Sequence, residues 1–166
     1  MNAQVLIVMG SDSDMNIMEG TVLLLQEFGI SYDIVIASAH RTPERAIKLA
    51  VNAEKTGVQV IIAGAGMAAH LAGVLAAHTI IPVIGVPIDA SPLHGIDALV
   101  STVQMPPGVP VATMAIGKAG AKNAAVLSAQ IIGLKNHHVA KRLRAFKKKM
   151  AREVEKKSKA LRKHSP

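Results

Sequence analysis

The chain of 166 residues has no cysteine and no tryptophan, and its only aromatic side chains are Phe28, Tyr32 and Phe146. The missing cysteine excludes disulfides and thiolate metal sites and makes a reducing cytoplasm the expected location. The shortage of aromatics removes the platforms on which unpaired bases usually stack. Charge is also absent from one long stretch, since Thr56 to Ile88 contains no Asp, Glu, Lys or Arg. A run of that length raises the question of a membrane span. However, Gly64, Gly66, Gly73, Pro82, Gly85 and Pro87 break it up, and His70 and His78 lie within it. Alternating strand, loop and helix is therefore expected, without membrane contact. No basic segment followed by an apolar one opens the chain, so no export signal is expected.

Half of the residues are apolar, mostly Val, Ile, Leu and Ala, with 13 Gly among them, and the length suits one core-bearing domain. A body this apolar is expected to hide surface against copies of itself. The net charge of +8 is localised. Residues 141–163 carry twelve of the nineteen Lys and Arg against only Glu153 and Glu155, so the remainder is nearly neutral. This divides the chain into a body over residues 1–140 and a basic C-terminal helix or tail over 141–166.

Val5 to Met9 is an unbroken apolar run, as in a strand buried on both faces. Gly10 ends it, and Ser11 to Asp14 supply caps for a helix over about 13–28, stopped by Gly29. A second strand is expected at Ser31–Ala37. Ser38 to Pro43 reads as a loop in which Thr42 caps and Pro43 opens a helix running to Thr56. A third strand at Val58–Ala63 leads to a helix at Ala68–Ala77, and a fourth strand spans Ile80–Val86 with Pro82 inside it. A loop at Ile88–Pro92, a short helix at His94–Thr102 and a turn-rich Gln104–Pro110 follow. Val111–Ile116 is expected as strand and Ala119–Ile132 as helix. The last helix, Asn136–Arg162, keeps Val139, Leu143, Phe146, Met150, Val154 and Leu161 on one face amid Lys and Arg. Alternation of this kind predicts an α/β fold with a doubly wound parallel sheet.

In such a sheet, ligands gather at the carboxyl ends of the strands. Three segments there carry chemistry: Gly10–Asp14 with hydroxyls and a carboxylate, Ser38–Arg41 with a histidine beside an arginine, and Gly64–His70 with glycines and another histidine. The fork of Arg41 suits phosphate, and Ser38 adds a hydroxyl. His40 can take and give a proton near neutrality. His70 could equally pack or cap, and His78, His94, His137 and His138 read as structural. Nothing has zinc-ligand spacing, and Asp12 and Asp14 are explained by the helix dipole, so no metal is expected. G-S-D-S-D is not a dinucleotide fingerprint. The basic helix could contact an anionic surface, but with so few aromatics it reads better as a helix docking on the body or on a neighbouring subunit with a solvated basic face, and nucleic acid is not an expected partner.

Five motifs taken together resemble one family: G-S-D-S-D at Gly10–Asp14, S-A-H-R-T-P at Ser38–Pro43, A-G-M-A-A-H-L-A-G at Ala65–Gly73, P-V-I-G-V-P at Pro82–Pro87 and Q-M-P-P-G-V-P-V-A-T at Gln104–Thr113. The chain resembles the bacterial 5-(carboxyamino)imidazole ribonucleotide mutases over about residues 3–140. The resemblance implies a flavodoxin-like three-layer sandwich around a central parallel sheet. It also implies a homo-octamer with sites shared between subunits, and a ribonucleotide substrate whose carboxylate moves from an exocyclic nitrogen to a ring carbon without metal, biotin or ATP. By the same resemblance His40 is the general acid/base and Ser11, Asp14 and Arg41 bind substrate. His70 lies in the loop over the base, and Ser13 and Ser38 complete the expected binding set. One departure is Met15, where relatives often have tryptophan, which is expected to alter packing rather than chemistry. Two other readings compete: a carboxylase acting on free carbon dioxide, whose pattern has lysine in place of Arg41 and lacks the A-A-H motif, and a non-catalytic nucleotide- or flavin-binding module.

Overall fold

The computed structural model describes residues 3–162. Five parallel strands form one sheet in the order β2-β1-β3-β4-β5, with β1 at Val5–Met9, β2 at Tyr32–Ile36, β3 at Val60–Gly66, β4 at Val83–Ile88 and β5 at Ala112–Thr113. The helices are α1 (Met15–Phe28), α2 (Pro43–Ala53), α3 (Leu71–Ala76), α4 (Ile96–Val103), α5 (Gly117–Gly133) and α6 (His137–Arg162). Every residue of β1 and β4 is buried, as an apolar run covered on both faces requires. Val5, Ile7 and Met9 pack with α1, α5 and the start of α6, while Leu6 and Val8 face α2 and α3. This is the expected flavodoxin-like three-layer sandwich.

The interior strands differ from expectation at their ends. β3 runs three residues past Ala63, because Ala65 and Gly66 find partners in Pro87 and Ile88 of β4. β4 starts after Pro82, whose carbonyl accepts from Ile61 N–H at 3.0 Å, and ends two residues later than expected. A longer β3 leaves less chain for α3, which has only six residues. β5 shrinks to two residues, Ala112 and Thr113, which pair with Ile84 and Gly85 of β4. Helix α4 likewise begins at Ile96 rather than His94.

Along α6 the apolar face docks only in part. Val139 is buried, Leu143 and Phe146 are half-buried, and Phe146 meets Phe28 edge-on with ring centroids 5.4 Å apart. From residue 147 to residue 161 every residue is exposed, including Met150, Val154 and Leu161. Within the chain the helix therefore docks through Phe146, and its later apolar side chains stand exposed. Among the described residues no helix is long and apolar enough to cross a membrane.

Candidate functional site

The chain leaves β1 toward β2 on one side of the sheet and returns to β3 on the other, so the carboxyl ends of β1 and β3 flank the point where strand order reverses. A cleft of about 600 Å³ opens there. Ser11, Ser13, Asp14, Ser38, His40, Arg41 and His70, all expected from sequence, line it together. Asp12 does not. His78, His94, His137 and His138 also lie outside it.

Below β1 the chain enters a single 3-10 turn, Asp12–Asp14, before α1. Ser11 caps this turn, and its N–H donates to Asp14 Oδ2 at 3.0 Å. The Ser11 hydroxyl donates to Asp12 Oδ1 at 3.0 Å and accepts from the Ser13 hydroxyl at 3.0 Å. Asp12 is fully exposed, and its carboxyl is held below the ordinary range by the Ser11 hydroxyl and the Ser13 N–H. Asp14 behaves oppositely. It is only 5 % exposed, and burial raises its carboxyl above the ordinary value despite the N–H groups of Ser11 and Gly10 and the Arg41 charge. Two carboxylates two residues apart are thus set in opposite directions by their surroundings.

The second segment forms a tight turn between β2 and α2. The Ser38 hydroxyl accepts from the backbone N–H of His40 at 3.3 Å and of Arg41 at 3.2 Å. The side chain of Arg41 reaches across to β1 and donates through Nη2 to the Gly10 carbonyl at 3.1 Å. The exposed His40 ring points at the third segment, its Nε2 lying 2.8 Å from His70 Nδ1. Thr42 occupies the position before α2, but its side chain makes no cap bond to the helix, contrary to expectation. It turns back onto Ser38 instead.

The third segment begins inside β3. A Cβ on Gly66 would sit 2.7 Å from Ala90 Cβ and 3.1 Å from the Ile88 carbonyl, so glycine is what lets the ends of β3 and β4 close up beside the cleft. Met67 follows with φ of 56°, a left-handed conformation that side chains rarely adopt, and is 60 % exposed at the rim. His70 sits at the position before α3 without capping it. Met67, within the expected Gly64–His70 segment but not singled out there, and Ala90, which was missed, also line the cleft, and Thr42 was misassigned as a cap. Only the G-A-G-M spacing hinted at the first. Ala90 carries no chemical signal, and nothing local marks where the hydroxyl of Thr42 points.

Two imidazoles, a guanidinium and a buried carboxylate around one opening can bind an anionic, hydroxyl-bearing molecule and exchange a proton with it. Among the described residues no group of three or more His, Asp or Glu is arranged to hold a metal ion.

A family model described as AIR carboxylase matches residues 4–153. The chain is 54 % identical over 155 residues to the N5-carboxyaminoimidazole ribonucleotide mutase of Pyrococcus horikoshii, covering 93 % of this chain and 86 % of that protein. The Escherichia coli protein of the same name is 48 % identical over 152 residues, with coverage of 92 % and 90 %. Among solved structures, Treponema denticola PurE aligns with a TM-score of 0.86 at 30 % identity, over 95 % of this chain and 97 % of that one.

Proposed function

The chain belongs to the AIR carboxylase family, and on that premise we propose that it is a mutase of purine synthesis. It converts 5-carboxyaminoimidazole ribonucleotide into 4-carboxy-5-aminoimidazole ribonucleotide. The observation that carries this reading is the meeting of His40, Arg41, Asp14 and His70 in one cleft at the sheet's reversal point, in a chain about half identical to proteins named for that activity.

Chemistry supplies the steps. A carbamate releases carbon dioxide once its nitrogen takes a proton, and His40 as imidazolium donates it. The freed amine makes the neighbouring ring carbon nucleophilic, as in an enamine. That carbon attacks the trapped carbon dioxide and forms the new carbon–carbon bond. His40, now neutral, removes the ring-carbon proton and returns to its starting state. One proton moves from histidine to nitrogen and one from carbon to histidine, so the balance closes without a cofactor. Arg41 and Ser38 hold the phosphate side, Ser11, Ser13 and Asp14 the sugar side, and His70 stands over the base. The gain comes chiefly from positioning and from exclusion of water.

The enzyme works as a homo-oligomer, an octamer with sites shared between subunits, in the cytoplasm, with residues 1–140 as catalytic body. Support for assembly lies on α4. Ile96, Val100 and Val103 form one exposed stripe, and beside it Asp97 Oδ1 is buried without a hydrogen-bond partner among the described residues. A partner subunit would cover the stripe.

The second reading, carboxylation of free aminoimidazole ribonucleotide with dissolved carbon dioxide, is favoured by the description of the family model. Turnover of each substrate with and without added bicarbonate separates the two. Conversion of the carbamate without bicarbonate supports the mutase, and strict dependence on bicarbonate reverses the assignment. Tight retention of a coloured cofactor, with no turnover of either substrate, would mark a binding module.

A further inference from the structure

Thr42 stands where a helix cap should be and does not cap. Its backbone, at φ −139° and ψ 54°, turns the side chain away from α2, which begins with Pro43 and no side-chain cap bond. The hydroxyl instead accepts from Ser38 N–H at 2.9 Å and donates to the Ser38 carbonyl at 3.2 Å. The Thr42 N–H donates to the same carbonyl at 2.9 Å. One hydroxyl carries one hydrogen and two lone pairs, so this use is within its capacity. Ser38 completes the ring by accepting from the N–H groups of His40 and Arg41.

We propose that Thr42 is a positioning residue whose hydroxyl clasps both backbone polar groups of Ser38 and so fixes the turn that presents His40 and Arg41 to the cleft. This rests on the mutase reading for its kinetic consequence but not for its structural one. The clasp closes the turn at both ends. Its first residue follows β2, where Ala37 N–H is held by Met9 O at 2.9 Å, and its last opens α2, where Ala46 N–H donates to the Thr42 carbonyl at 3.2 Å. Between these anchors the backbone N–H groups of His40 and Arg41 are held by the Ser38 hydroxyl. Both side chains then reach specific atoms on other segments, Arg41 to the Gly10 carbonyl and His40 to His70. A turn free to shift by an ångström would lose both contacts together, and displacement on that scale is enough to lower turnover by about 100-fold.

The two possible roles of Thr42 part under substitution. A helix cap is replaceable by aspartate, which caps α2 at least as well but has no hydrogen to give the Ser38 carbonyl. Thr42 is exposed, so Thr42→Val and Thr42→Asp leave no buried hole and are expected to fold. The experiment measures kcat and KM for the carbamate substrate, and the imidazole 15N shifts of His40 and His70, in Thr42→Val, Thr42→Asp and Thr42→Ser. Val and Asp variants are expected to lose about 10- to 100-fold in kcat/KM, with kcat falling through His40 and KM rising through Arg41. The paired-ring 15N signature is expected to disappear in both, and Thr42→Ser to recover most of each. Wild-type kinetics and ring signals in Thr42→Val, or full activity in Thr42→Asp, would overturn the proposal. If the wild type itself turns over no carbamate, the mutase reading fails and the ring signals alone decide the clasp.

Discussion

His40 Nε2 and His70 Nδ1 lie 2.8 Å apart, with ring centroids 4.9 Å apart and planes 75° from one another. At that distance one nitrogen carries the hydrogen and the other accepts it, so the tautomers of the two rings are set as a pair. The residue expected to move the reaction's proton is therefore held by a second imidazole from a different segment of the chain.

Asymmetry between the two rings follows from the proposed roles. His40→Asn is expected to lower kcat by about 10³-fold while substrate still binds, and His70→Asn by about 10-fold. Steady-state turnover together with the substrate dissociation constant checks this. Near wild-type turnover in His40→Asn would refute the proton-transfer role.

Asp14 should trade stability for binding. Because burial raises its folded-state pKa, the native protein takes up a proton at higher pH than the unfolded chain does. Between the ordinary and the raised value, stability increases as pH falls, and above the raised value the buried charge is a standing cost. Asp14→Asn removes that charge and can still accept from Ser11 N–H. Its Tm is expected to exceed wild type at neutral pH, with the difference shrinking as the solution is acidified, while KM rises. Thermal melts across an acid-to-neutral series read the sign directly.

Gly66→Ala places a methyl 2.7 Å from Ala90 Cβ. Overpacking of this kind costs about 1–3 kcal/mol, and here it pries β4 from β3 beside Met67 and His70. Loss of activity should accompany the loss of stability, and adding Ala90→Gly should restore part of both. Denaturant unfolding of the two single variants and the double variant tests the coupling.

The two halves of α6 should respond differently. Phe146→Ala removes an edge-on partner of the buried Phe28 and is expected to cost about 2 kcal/mol. Removing the chain after residue 149, where every described side chain is exposed, should leave turnover within about twofold of wild type, as for surface changes generally. Any affinity for a polyanion should go with the tail and weaken steeply with salt.

Local chemistry in the sequence determined a good deal. The apolar run Val5–Met9, the stops at Gly29 and Gly57 and the alternation of strand and helix fixed the order of elements and their parallel arrangement, because period and punctuation are short-range properties of the chain. The polar segments after β1 and β2 were legible for a related reason, since small, polar or ionisable side chains just after apolar strands have little use in a core, whereas His70 and Ser13 were placed by resemblance to a family. What the chain could not declare locally was decided by partners far away in sequence. β3 extends to Gly66 because β4 lies beside it, β5 pairs with β4 over only two residues, and α6 stands exposed after Phe146. Thr42 shows the same limit at atomic scale. Its position before Pro43 favours a cap, and only the fold of the turn, returning Ser38 to within 2.9 Å, gives its hydroxyl a different partner. The His40–His70 pair is likewise tertiary, since hydrogen bonds between residues thirty apart depend on how strands are ordered and not on which residues are neighbours.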